Sequence, residues 1–189
     1  MKTAIKTSLA LWCTCLIAAV AGAHELPTNR VTLVLRDDTH VSLTGYIDYT
    51  EALHQTLAPQ QALPDFLLQY ATLQPVDFQA TVARVHAQWR AATRITLPTG
   101  ETLETRNWRW PEPAQAQTAL RERAMHVLTG GVGHDHATET EFHAEATSPA
   151  KAPSLSLQLP SAFGKVLVVS YKPRQMWLEP RSTPVPIPF

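Results

Sequence analysis

The stretch Val31-Thr32-Leu33-Val34-Leu35-Arg36-Asp37-Asp38-Thr39-His40-Val41-Ser42-Leu43-Thr44-Gly45-Tyr46-Ile47-Asp48-Tyr49 decides how this chain folds. Val31, Leu33 and Leu35 alternate with Thr32, Val34 and Arg36, and Val41, Leu43, Gly45, Ile47 and Tyr49 repeat the pattern, which is the two-residue period of half-buried strands. As a hairpin, the two runs keep one apolar face only if Leu35 opposes Val41 and Leu33 opposes Leu43. A two-residue loop would set Leu35 against His40 and mix the faces. The spacing therefore predicts a three-residue connection, Asp37-Asp38-Thr39, with Asp38 or Thr39 in the left-handed position usually given to glycine. His40 then lies on the polar face with Arg36, Ser42 and Thr44.

Beyond this hairpin the period changes. Thr50 can cap a short helix over 50–57, Pro59 and Pro64 punctuate the chain, and a second short helix is expected over 64–70. The strongest helical pattern covers 75–93, where Phe78, Val82, Val85 and Trp89 make one apolar stripe with His86 on its rim. Strands are expected over 94–97 and 103–110, separated by a turn at Pro98-Thr99-Gly100. Pro111 and Pro113 close the second of these, and a helix over 114–128 turns Ala116, Leu120, Ala124 and Val127 inward.

Residues 129–153 read as a flexible, histidine-bearing loop, a weakly alternating edge strand over 138–147, and a linker. Leu155, Leu157 and Leu159 share a strand face, residues 166–171 are apolar on both faces as in a central strand, and Met176-Trp177-Leu178 form a last strand. The tail over 181–189, with Pro184, Pro186 and Pro188, reads as extended. Strands at both ends with helices between them predict an α+β fold, a mainly antiparallel sheet or sandwich-like domain with inserted helices. A single globular domain over 24–180 is expected.

Working outward to the amino terminus, Lys2 and Lys6, the apolar run from Leu9 to Val20, and Ala21-Gly22-Ala23 together read as a secretory signal peptide over 1–23. The apolar run is shorter than the roughly 20 residues that span a bilayer, so no transmembrane segment is expected after cleavage, and the product is expected to be periplasmic or secreted. Cys13 and Cys15 both lie in the signal, without the context of a lipoprotein signal. Cleavage would leave 166 of the 189 residues, none of them cysteine. Acidic and basic residues balance at 16 each, and loss of Lys2 and Lys6 leaves a net charge of −2, which argues against nucleic acid as a partner.

Three groups of residues carry candidate chemistry. Cleavage after Ala23 would make His24 the first residue, whose amine and imidazole can chelate a metal together. His134-Asp135-His136, followed by Glu139, Glu141 and His143, offers imidazoles that suit copper or zinc better than calcium or magnesium. The competing readings are an incidental cleavage junction for His24 and a solvated loop for the others. Arg106, Trp108 and Trp110 share one face of a regular strand and could contact a ligand or partner, although such indoles more often fill a core.

His54, His86 and His126 read as hydrogen-bonded structural histidines, and Asp48 reads as a polar-face strand residue. There is no Gly-x-Ser-x-Gly elbow, phosphate-binding glycine loop or His-Glu-x-x-His signature. The sequence thus points to a non-catalytic exported accessory protein that binds copper or zinc through His24, His134, His136 and His143. The alternative is a metal-independent interaction module for an exported protein or envelope component. A copper oxidase acting through His24 ranks last.

Overall fold

The computed structural model describes residues 29–129 and 139–173. The signal peptide, His24, residues 130–138 with His134 and His136, the strand expected at Met176-Trp177-Leu178, and the tail lie outside the described residues. Within them the chain runs β1 (Arg30–Arg36), β2 (His40–Asp48), α1 (Tyr49–Leu57), α2 (Leu63–Ala71), α3 (Pro75–Ala92), β3 (Arg94–Thr96), β4 (Thr102–Leu103), β5 (Thr105–Arg109), α4 (Pro113–Leu128), β6 (Glu139–Thr147), β7 (Ser156–Gln158), a 3-10 turn (Ser161–Phe163) and β8 (Leu167–Tyr171). The fold is α+β.

A five-stranded sheet has the order β5-β6-β2-β1-β8, and a three-stranded sheet the order β4-β3-β7. Every pairing is antiparallel except that of β1 with β8. The hairpin forms in the expected register, with Leu35 opposite Val41 and Leu33 opposite Leu43. Asp37 and Asp38 both adopt positive φ, 48° and 64°, so the left-handed backbone begins one residue earlier than predicted. Thr39 N–H donates to the Arg36 carbonyl at 3.1 Å and closes the turn.

Val31, Val41, Leu43 and Ile47 are fully buried on the inner face, where one apolar cluster joins them to Phe142, Ala144 and Ala146 of β6 and to the helices. Gly45 sits on the same face beneath the Phe142 ring. A Cβ at Gly45 would lie 2.2 Å from Phe142 Cε1, so the ring occupies the space any other residue would need. The predicted stripe of α3 is buried throughout, with Phe78, Val82, Val85 and Trp89 each no more than 2% exposed. On α4, Ala116, Leu120 and Ala124 point inward as expected, but Val127 is exposed. Gln117 is buried instead, and its amide donates to the Leu73 carbonyl at 2.8 Å.

Four expectations are corrected. The segment 138–147 is no edge strand, because β6 pairs with β2 on one side and β5 on the other. Its alternation looked weak because its inward residues include the small Ala144 and Ala146. Among the described residues the segment 166–171 is no central strand, because β8 lies at an edge of the sheet with all five residues exposed. The strand expected over 103–110 divides at Glu104, with β4 in the small sheet and β5 in the large one. The cap of α1 is Asp48 rather than Thr50, for Asp48 Oδ1 accepts from Glu51 N–H at 2.9 Å.

Asn29 joins three parts of this frame. Its carbonyl accepts from Leu167 N–H at 2.9 Å, its side-chain oxygen accepts from Asp48 N–H at 2.7 Å, and its amide donates to the Phe163 carbonyl at 2.6 Å. β8 is thereby tied to the end of β2.

Candidate functional site

Three regions hold the side chains capable of recognition or chemistry. The first is an aromatic stack inside the large sheet. Trp108 and Trp110 lie parallel with ring centroids 5.2 Å apart, and Trp110 stacks in turn on His86 at 4.6 Å. Phe142 flanks Trp110 at 5.0 Å, and Trp89 meets Phe163 edge to face. Both indoles pack against the core and against each other.

Arg106 does not join them. Asn107, at φ 52°, makes a bulge in β5 that shifts its register against β6 between Arg106 and Arg109. The extra residue reverses the side-chain alternation. Arg106 therefore stays on the outer face opposite Glu145 and bonds Glu104, while Trp108 and Trp110 turn toward Phe142. No periodicity rule could have found this, because Asn107 looks like any other strand residue.

His86 is buried rather than on a rim. Its Nε2 lies 2.6 Å from the Tyr49 hydroxyl, and burial, reinforced by the nearby Arg90 charge, lowers its pKa to about 4. Burial also raises the Tyr49 pKa, so a protonated hydroxyl shares a hydrogen bond with a neutral imidazole. This pair ties α1 to α3.

The second region is the polar outer face of β2, β5 and β6. Thr44 Oγ1 lies 3.3 Å from His143 Nδ1, and Glu145 Oε1 lies 3.4 Å from His143 Nε2. The Asn107 amide donates to Glu145 Oε2 at 2.7 Å, and that bond, followed by the one from His143, holds the Glu145 pKa below the usual carboxylate range. A groove of about 280 Å³ runs beside Glu145, lined also by His40, Glu104, Arg106, Asn107 and Thr147. The hydroxyl, imidazole and carboxylate are in line, but both contacts to the imidazole are long. Thr44 and His143 lie 99 residues apart, so no local pattern in the sequence links them.

His143 of β6 thus already has two polar neighbours, Thr44 on β2 and Glu145 on β6. It stands four residues beyond Glu139, ~13 Å along an extended strand. Among the described residues, no three His, Cys, Asp or Glu side chains form a group able to hold a metal ion. His24, His134 and His136 are outside those residues.

The third region is the edge strand β8. Leu167, Val168, Val169 and Tyr171 are 40%, 49%, 44% and 54% exposed. Val168 pairs with the inward-facing Val31, whereas Val169 pairs with Thr32 on the outer face. Among the described residues, β8 therefore has exposed side chains on both faces. This is unusual for a parallel strand, since parallel pairing normally occurs where both faces are covered. By contrast, the other edge, β5, is bulged and carries Arg106 and Arg109. No helix of the described residues is long and apolar enough to cross a membrane. No family model, curated protein or solved structure matches the chain.

Proposed function

We propose that the chain is an exported, non-catalytic accessory protein that acts as an interaction module, receiving an extended strand of an exported protein along the free edge of β8. The observation carrying this reading is the exposed strand Leu167–Tyr171, which has apolar side chains uncovered on both faces and no charge along its length. A sheet edge presents unpaired N–H and C=O groups to any extended chain, and proteins that do not use such an edge blunt it with charge, proline or a bulge. β5 carries those protections and β8 does not.

Capture from the envelope fraction of the native host tests this. Tagged wild-type protein should retain a protein partner in the presence of chelator, and Val169→Lys should lose it. The same set of captured proteins with both baits would refute the reading.

A second reading, copper or zinc capture, is supported by His134-Asp135-His136 and by the chelating terminus that cleavage before His24 would create. It assigns the metal to those three histidines together with His143.

A further inference from the structure

We infer that the strand completing the β8 edge is β8 of a second copy of this chain, so that two five-stranded sheets join across a two-fold axis at Val169. This rests on the proposal that the β8 edge is an interaction surface, and it names the partner.

The residues of β8 are compatible with their own reversal. Antiparallel pairing centred on Val169 sets Leu167 opposite Tyr171 of the partner subunit, Val168 opposite Ser170 of the partner subunit, and Val169 opposite the partner's Val169. No charge falls inside the paired segment. The flanking lysines also avoid each other, because Lys165 would fall beside Pro173 of the partner subunit and Lys172 beside Val166 of the partner subunit. Lys172 is moreover held by Asp38 of its own chain, which draws its ammonium toward the β1–β2 turn. Like charges directly opposite one another would oppose pairing, and this register contains none.

Closure supports the same arrangement. An edge pairing of β8 with β5 of another copy would be heterologous, giving a ring or an open-ended chain rather than a closed pair. The bulge at Asn107 and the outward Arg106 and Arg109 obstruct that route. Pairing of β8 with itself uses up both apolar edges of the large sheets and leaves each large sheet with its protected β5 edge. It also gives Leu167, Val169 and Tyr171 apolar neighbours across the axis on the outer face, while Val168 meets Ser170 of the partner subunit on the inner one. Those four side chains are exposed among the described residues.

The test is the mass of the exported protein in solution by light scattering over a dilution series, for wild type, Val169→Lys and Val169→Glu. Wild type is expected to be a dimer that dissociates on dilution. Each charged variant alone should raise the dissociation constant at least about tenfold, with an unchanged circular dichroism spectrum. An equimolar mixture of the two variants should recover the dimer, because opposite charges then meet at the axis.

A wild-type monomer at every concentration overturns the inference. So does a wild-type dimer that persists in both variants, or a mixture that fails to recover it. The envelope capture separates this result from the broader reading if an untagged copy is expressed beside the tagged one. Retention of the untagged copy supports the dimer, whereas retention of a different protein alone, lost with Val169→Lys, leaves the edge function standing and removes the dimer. Retention of neither removes both.

Discussion

At the residue scale, His86 is a histidine that the core keeps neutral. In the folded chain its pKa falls to about 4 from an ordinary 6.5, so the unfolded chain takes up a proton over that interval while the folded chain does not. Stability contributed by this group is therefore fully present above pH 6.5 and declines as the pH falls from 6.5 toward 4. Urea midpoints measured at pH 7.5, 5.5 and 4.5 should decrease along that series. His86→Gln, whose side-chain carbonyl can still accept from Tyr49, should be less stable at pH 7.5 and show a shallower decline. Equal slopes for the two proteins would show that other groups govern the acid response. The sequence could place His86 beside an apolar stripe, but its partner is 37 residues away and no local pattern links the two.

At the element scale, the junction of β2 with α1 depends on Asp48. Its carboxylate accepts from Glu51 N–H at the start of α1, and from Arg123 Nη1 of α4 at 3.0 and 2.9 Å. Both side chains are largely shielded, 13% and 15% exposed, so the pair binds α4 to the sheet in a setting where loss of one charge is costly. Asp48→Ala should lower unfolding free energy by about 2–4 kcal/mol, through loss of the cap and the ion pair. Asp48→Asn keeps a capping oxygen and should lose clearly less. Denaturant titration measures both, and a loss below about 1 kcal/mol for Asp48→Ala would refute the structural role.

The same junction shows what a pattern misreads. Alternation marks Asp48 as an outward strand residue and Tyr49 as an inward one; Tyr49 is buried, but Asp48 is shielded by its pairing with Arg123 of α4. What alternation does not contain is the change to helical backbone at Tyr49, since an Asp that ends a strand and one that caps a helix look alike. Local rules worked where both partners were close in sequence, as in the β1–β2 hairpin and the α3 stripe. They failed at β6 and β8, whose neighbours in the sheet come from distant parts of the chain.

At the scale of the whole molecule, the candidate metal chemistry and the edge interaction make separable demands. Protein processed after Ala23 should retain near-stoichiometric copper or zinc after dialysis if His24, His134 and His136 form a site, and the replacement His134→Ala with His136→Ala should abolish retention. Metal analysis and thermal shift on metal addition provide the readout. No retained metal together with no shift would remove the metal reading while leaving the β8 edge untouched.

The sequence by itself determined the hairpin and its register, the main helices, the buried stripe of α3 and the α+β class. Each of these follows from periodicity, turn geometry or capping within a short span, where side-chain spacing and backbone period must agree. Only the tertiary structure decided the order of strands, the division of β4 from β5, the turn of Arg106 away from Trp108 and Trp110, and the exposure of β8. Strand order depends on which distant segments cover one another, and the Asn107 bulge depends on a partner strand that opposes three residues with two. An apolar strand has the same composition at the centre of a sheet and at its edge. What separates them is whether another strand and another layer lie beside it.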